Sequence, residues 1–108
     1  KADSWFVVDQ SLPFMSMVVD ADKKKMHKIP AVVHVDGSSR LQTVNYEQNP
    51  KYYLLIKEFY GITKIPMLLN TSFNENEPIV NTPDEAIKCF LRTQMDFLVI
   101  ENYIISRV

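Results

Sequence analysis

The chain has 108 residues, of which 46% are hydrophobic and 23% charged, and its formal net charge is −1. This length allows one domain with one core, and the composition excludes a disordered tail. The charge balance predicts no general attraction to nucleic acid or to an anionic membrane surface.

Cysteine content and hydropathy restrict the classes of protein further. The one cysteine, Cys89, excludes an internal disulfide and is compatible with a reducing compartment. With two histidines besides, we expect no transition-metal site made by this chain alone. No apolar run approaches the roughly 20 residues of a membrane span and no signal peptide is visible, so we expect a cytoplasmic protein. The chain starts at Lys1 rather than at Met, which suggests a piece of something longer.

Three strands are predicted in the first half of the chain. Residues 14–20 and 29–35 are β-favouring and mostly apolar, and residues 40–44 form a third run. The Asp36-Gly37 step predicts a hairpin that joins the second strand to the third. One face of the second strand is expected to fill the core: Ala31, Val33 and Val35.

The second half is predicted to contain two helices and three strands. Asn49 followed by proline predicts a helix over residues 50–60, ended by Gly61. Residues 65–69 are predicted to form a short buried strand. Thr82 and Glu85 have the spacing of a capping box for a second helix, in which Cys89 is expected to be a buried, inert thiol. The apolar face of that helix is predicted to comprise Ala86, Ile87, Phe90 and Leu91.

Two closing strands are predicted over residues 96–100 and 103–105. Strands and helices alternate in the second half of the chain, and no linker or repeat interrupts it. The pattern therefore predicts a mixed α/β fold, a twisted sheet with helices, in a single domain over residues 1–108.

Residues 34–44, HVDGSSRLQTV, form the first polar motif. On a predicted strand His34 and Asp36 share one face. On the returning strand Arg40 and Gln42 share a face that can lie beside His34. Because a guanidinium matches two oxygens at once, the motif predicts a site for phosphate or carboxylate. The alternative is a solvent-facing hairpin with a weak surface ion pair between Asp36 and Arg40.

Residues 70–74, NTSFN, form the second motif, at the end of the predicted strand over residues 65–69. Ligands of open α/β sheets bind beyond the carboxyl ends of strands, so a site is expected here. Amides and hydroxyls can donate hydrogen bonds to phosphate oxygens, although the same groups also satisfy their own backbone in turns. The loop over residues 75–77 is expected to be solvated. The candidate residues are Asn70, Thr71, Ser72 and Asn74.

Together these motifs carry a resemblance to a known family. HVDGSSRLQTV, followed by the segment over residues 49–107 that contains NTSFN, resembles the C-terminal domain of the O-carbamoyltransferases. This is the family of the nodulation carbamoyltransferase NodU and of antibiotic-tailoring carbamoyltransferases. The resemblance extends from about residue 14 to the end of the chain, and it implies a YrdC-like fold of which residues 1–108 would be a truncated C-terminal part.

The resemblance also implies an activity, substrates and a partner. The YrdC-like part of such enzymes is expected to bind carbamoyl phosphate and ATP and to form carbamoyl adenylate. An N-terminal ATPase-like domain, which carries the metal ion, is expected to pass the carbamoyl group to an acceptor hydroxyl. No nucleic acid or membrane partner is implied, and a homodimer is compatible with the sequence.

Residue roles follow from the matched positions. Arg40 matches the family's arginine after HVDG and is expected to hold phosphate or carbamoyl oxygens. Asn70 and Ser72 match polar positions of NTSFN that are expected to contact the substrate. The likeness of TSFN to the TSAN motif of YrdC proteins adds Asn74. A site-shaping role is implied for the remaining matched residues: His34, Asp36 and Thr71.

One arginine is too little positive charge for joining carbamoyl phosphate to ATP, so the chain alone is expected to be catalytically inactive. Two other function classes remain open. The first is a non-catalytic module that binds a nucleotide or an acyl phosphate. The second is a structural or interaction domain in which the polar motifs only complete turns.

Overall fold

The structure, a computed structural model, describes residues 1–108 and comprises two compact units, Lys1–Leu69 and Asn70–Val108. The first unit contains strands β1 (Val18–Asp20) and β2 (Ser38–Arg40), helix α1 (Pro50–Thr63) and three 3-10 helices at Ala2–Ser4, Met26–Lys28 and Pro30–Val32. The second unit contains helix α2 (Pro83–Arg92) and strands β3 (Phe97–Ile100) and β4 (Tyr103–Ser106). The prediction of a mixed α/β fold is confirmed, whereas the single-domain assignment stays a prediction.

The core of the first unit lies beside an antiparallel pair of short strands. Strands β1 and β2 pair with Val18 opposite Arg40 and Asp20 opposite Ser38. The predicted strand over residues 14–20 is therefore correct only for its last three residues. Side chains buried against this pair form the core, and apolar neighbours such as Trp5, Val19 and Met67 pack around them. The buried members are Phe6, Ala21 and Ile29.

The predicted strand over residues 29–35 is wrong. Pro30 begins the 3-10 helix Pro30–Val32, in which the Val32 N–H donates to the Ile29 carbonyl over 3.1 Å. Proline fixes φ near the helical value, and β1 pairs with β2, so residues 29–35 have no ladder partner. Val33 is half-buried, but Ala31 is exposed and Val35 is fully exposed, so they do not fill the core.

The predicted third strand is displaced rather than absent. It was expected over residues 40–44, but β2 covers Ser38–Arg40 and the residues after it have no regular structure. The turn before β2 is confirmed, since the Gly37 N–H donates to the His34 carbonyl over 3.0 Å. Gly37 has φ +87°, which favours glycine. The sequence therefore predicted the turn correctly, but the strand that pairs with β2 is β1 rather than the segment directly before the turn.

Helix α1 begins as predicted and ends later than predicted. The Asn49 side chain accepts the Tyr52 N–H over 3.1 Å and caps the helix. Gly61 does not end the helix, because glycine costs only about 1 kcal/mol in a helix interior. The end comes at Lys64, which has φ +63° and donates its N–H to the Tyr60 carbonyl. The predicted strand over residues 65–69 is wrong, since this segment has no ladder partner and contributes only half-buried packing residues.

Although α1 is the longest helix, no residue of it is buried. With 14 residues it is shorter than a membrane span, and none of the helices has both the length and the apolar character to cross a bilayer. Its stability therefore depends on its caps more than on core packing.

Helix α2 has the predicted capping residues. Thr82 Oγ1 accepts the Glu85 N–H over 3.2 Å, while the Glu85 carboxylate accepts the Asn81 N–H over 2.8 Å rather than that of Thr82. The buried face is Ala86, Cys89 and Phe90. The prediction of Ala86 and Phe90 on this face is confirmed. The other two residues predicted there, Ile87 and Leu91, are exposed.

The two predicted closing strands are confirmed, and they pair as a hairpin with Leu98 opposite Ile105 and a turn at Glu101, φ +51°. Leu98 is buried and packs with Ala86 and Phe90 of α2. The opposite face of the hairpin is also apolar and is exposed. It carries Phe97, Val99 and Ile104.

Candidate functional site

The turn before β2 is held by one carboxylate. Asp36 Oδ1 accepts the Ser38 backbone N–H over 2.9 Å and the Ser38 hydroxyl over 2.7 Å. Both bonds stabilise the ionised carboxylate, and they lower the pKa of Asp36 from its usual value. This arrangement is an Asx-type turn, which fixes the backbone that leads into β2.

His34 is joined to the same hydroxyl. Its Nδ1 lies 3.0 Å from Ser38 Oγ, and its backbone N–H donates to the Ser38 carbonyl over 2.8 Å. His34 and Asp36 were predicted to share one strand face. They instead lie on a turn and meet through Ser38, which is buried. Sequence reasoning missed Ser38 as the link, and the signal was its spacing of two residues from an aspartate that precedes glycine.

Arg40 is the last residue of β2 and its side chain is exposed. It forms no ion pair, so the alternative of a surface pair with Asp36 is wrong. Gln42 does not join this patch as predicted, because its Nε2 donates to the Pro13 carbonyl over 3.1 Å. The Ser39 hydroxyl does not face this patch either, because it donates a hydrogen bond to the Val32 carbonyl. Arg40 therefore keeps its guanidinium available to an anion at the end of a turn fixed by hydrogen bonds.

The second motif lies in the second unit, whereas Arg40 lies in the first. Thr71 and Ser72 are exposed, as is Asn70. Asn74 is half-buried, and its Nδ2 donates to the Glu77 carbonyl over 2.9 Å. The Asn74 amide thus closes the loop that follows the motif.

The loop over residues 75–77 has no regular structure and Glu75 and Asn76 are exposed, as predicted, whereas Glu77 is half-buried. Glu77 Oε1 accepts a hydrogen bond from the Arg92 guanidinium over 2.6 Å, and Glu75 lies 3.9 Å from the same side chain. Burial alone would raise the pKa of Glu77. Its hydrogen bonds, of which that from the Cys89 thiol has the largest effect, outweigh burial, so the pKa is lowered. The loop is therefore tied to α2, and no local sequence signal predicted the pairing.

Comparison with known proteins gives one family. Residues 1–107 match the family model described as Carbamoyltransferase C-terminus. The nodulation protein NolNO of Sinorhizobium fredii is 46% identical over 99 residues, which cover 91% of this chain and 15% of that protein. The nodulation protein NolO of Bradyrhizobium diazoefficiens is 44% identical over 91% of this chain and 18% of its own length.

A third relative, at lower identity, is matched over nearly the whole chain. An uncharacterised protein of Synechocystis is 39% identical over a match that covers 99% of this chain and 21% of that protein. The chain therefore spans about a fifth or less of the length of these curated relatives.

Proposed function

The chain belongs to the carbamoyltransferase C-terminal family, and on that basis we propose that it takes part in binding carbamoyl phosphate and ATP for an O-carbamoyl transfer. The match over residues 1–107 carries the proposal. The nodulation proteins NolNO and NolO support it, since each matches 91% of the chain.

In the proposed reaction water hydrolyses carbamoyl phosphate to carbamate and phosphate. A carbamate oxygen then attacks the α-phosphorus of ATP, pyrophosphate leaves, and carbamoyl adenylate forms. An acceptor hydroxyl then attacks the carbonyl carbon and AMP leaves. The first stage brings several anionic oxygens together, so fixed cations and hydrogen-bond donors would stabilise it.

Arg40 is the residue we assign to the substrate's anionic oxygens. Its side chain is exposed and has no carboxylate partner, so binding an anion would not require an existing ion pair to break. We assign Asn70, Ser72 and Asn74 to contacts with the substrate as well, with Asn74 also supporting its loop. A site-shaping role is proposed for His34, Asp36 and Thr71.

Metal and acceptor binding are assigned to other parts of the longer protein. No group of three or more His, Cys, Asp or Glu side chains in this chain is placed to hold a metal ion, so its residues do not fit the metal implied for such enzymes. The proposal places that metal in an ATPase-like domain outside residues 1–108.

Calorimetric titration of the chain with carbamoyl phosphate, and separately with ATP, tests the binding step. Because a charge-assisted hydrogen bond contributes about 1.5–3 kcal/mol, Arg40→Ala is expected to weaken carbamoyl phosphate binding at least about tenfold. Lys57→Ala is the matched control, because it removes one positive charge from an exposed position of α1. Absence of binding to the unmodified chain, or equal losses in both variants, would contradict the proposal.

A further inference from the structure

We propose, resting on the function proposed above, that His34 recognises the amino group of carbamoyl phosphate through Nε2. Ser38 and Asp36 act as positioning residues that hold the neutral His34 ring in the tautomer with the proton on Nδ1. The turn would thereby distinguish a carbamoyl phosphate from other acyl phosphates.

The tautomer follows from proton counting along the three side chains. The Ser38 hydroxyl has a single proton, and it is donated to Asp36 Oδ1 over 2.7 Å. An ionised carboxylate only accepts, and Asp36 is held ionised because its two hydrogen bonds lower its pKa. Ser38 Oγ can therefore only accept from His34 Nδ1, which lies 3.0 Å away. A neutral imidazole has one N–H, so Nε2 is left with a lone pair.

His34 Nε2 and the Arg40 guanidinium are both available to a ligand. His34 is exposed, and none of its hydrogen bonds involves Nε2. Ser38, which His34 contacts, and Arg40 lie two positions apart on the same face of β2, so their Cα atoms are roughly 7 Å apart. His34, which contacts Ser38, and Arg40 are therefore neighbours along β2, and the proposal is that one small ligand contacts both side chains.

Carbamoyl phosphate has one group suited to Arg40 and one suited to His34. Its phosphate oxygens accept hydrogen bonds, as the Arg40 guanidinium requires, and its amino group donates them. The Asp36 carboxylate is also an acceptor, but its negative charge would repel the phosphate. A neutral imidazole accepts from the amino group without that repulsion. Acetyl phosphate has the same phosphate and a methyl group that cannot donate.

Nitrogen-15 NMR of the imidazole rings tests the positioning step without any ligand. At about pH 8, where an ordinary histidine is neutral, the shifts of His34 should show a protonated Nδ1 and an unprotonated Nε2. In Ser38→Ala the shifts should move toward those of His27, an exposed histidine that serves as the internal reference. An unchanged tautomer in Ser38→Ala overturns the positioning role of Ser38. Amide spectra of both proteins verify that the fold is retained.

The ratio of the affinities for carbamoyl phosphate and acetyl phosphate tests recognition. We expect a preference for carbamoyl phosphate of about tenfold, the value of one ordinary hydrogen bond. Ser38→Ala and His34→Ala should bring the ratio close to one. Arg40→Ala should weaken both ligands equally and preserve the ratio, since it acts on the phosphate they share.

The outcomes separate this inference from the function on which it rests. Binding of both acyl phosphates with equal affinity, or a preference that survives in His34→Ala, overturns the role of His34 and leaves the proposed function intact. Failure of the unmodified chain to bind either compound overturns both.

Discussion

The guanidinium of Arg107 donates a hydrogen bond to the Phe90 carbonyl and lies 4.8 Å from the centre of the Phe90 ring. It also donates to the carbonyls of Thr93 and Met95. These acceptors lie at and just beyond the C-terminus of α2, where helical carbonyls lack partners and a positive charge is favourable. One side chain after β4 therefore completes the end of α2.

Replacing Arg107 should destabilise the second unit. Arg107→Ala removes donors from three carbonyls, and we expect a loss of about 2 kcal/mol because hydrogen bonds to charged groups contribute more than neutral ones. Amide exchange in α2 measures the effect. Arg107→Lys is the informative control, since one ammonium cannot reproduce the planar set of donors, and it should recover only part of the loss. Full recovery with lysine would show that charge alone matters.

The Asn49 cap should be the main determinant of the stability of helix α1. Because no residue of α1 is buried, loss of the Asn49 bond to the Tyr52 N–H has little packing to offset it. Asn49→Ala should cost about 1 kcal/mol and reduce the helical circular dichroism signal. Asn49→Asp retains an accepting oxygen and should leave the signal unchanged. Equal spectra for all three proteins would argue against this dependence.

Acid should weaken the turn through Asp36. The folded-state pKa of Asp36 is lowered from 3.8, so its contribution to stability is complete above that value and is lost as pH falls through the folded pKa. The melting temperature of the unmodified chain should therefore fall more steeply below about pH 4 than that of Asp36→Asn. Asp9→Asn replaces an exposed carboxylate that forms no ion pair, and should retain the steep fall. Parallel curves for the unmodified chain and Asp36→Asn would refute the assignment.

Substitutions of Asn74 and Ser72 should distinguish structural support of the loop over residues 74–77 from contact with the substrate. Asn74→Ala removes the donor to the Glu77 carbonyl and should cost about 1 kcal/mol, with faster amide exchange over residues 74–77. Ser72 is exposed, so Ser72→Ala should leave stability unchanged. Both variants should weaken substrate binding in calorimetry. A binding loss confined to Asn74→Ala would mean that Ser72 does not contact the substrate.

The Cys89 thiol should be almost unreactive in the folded chain. The residue is 0% exposed, and burial followed by the hydrogen bond to Glu77 raises its pKa. Labelling with a thiol reagent should be at least about a hundredfold slower than in urea, since access requires opening of the core. Glu77→Gln should remain slow, because burial is the larger cause. Prompt labelling of the folded chain would contradict this packing.

The elements that the sequence predicted correctly have their determinants within a few residues. Asn49 and Thr82 cap helices with their own side chains, and the β3–β4 hairpin joins neighbouring segments. The wrong strands, over residues 29–35 and 65–69, are short apolar runs for which periodicity alone does not determine structure. Their state depends on whether a partner strand is available, which is a non-local property.

The candidate site shows the same division. The Asp36-Gly37 turn was predictable from the sequence, whereas the role of Arg40 as an anion-binding residue stays a prediction. The contact of Arg92 with Glu77 spans 15 residues, and that of Arg107 with Phe90 spans 17. No window of sequence signals such pairs, because they depend on how α2 packs against the preceding loop and against the segment after β4.

The series of side chains from His34 through Ser38 to Asp36 has a consequence for mutational scanning. Substitutions at any of the three positions would change the state of the same imidazole, so their effects should be similar in size and far from additive when combined. A scan that ranks positions by the lost preference for carbamoyl phosphate over acetyl phosphate would score all three alike. Only pairwise combinations would show that they act as one unit, with His34 as the member facing the ligand.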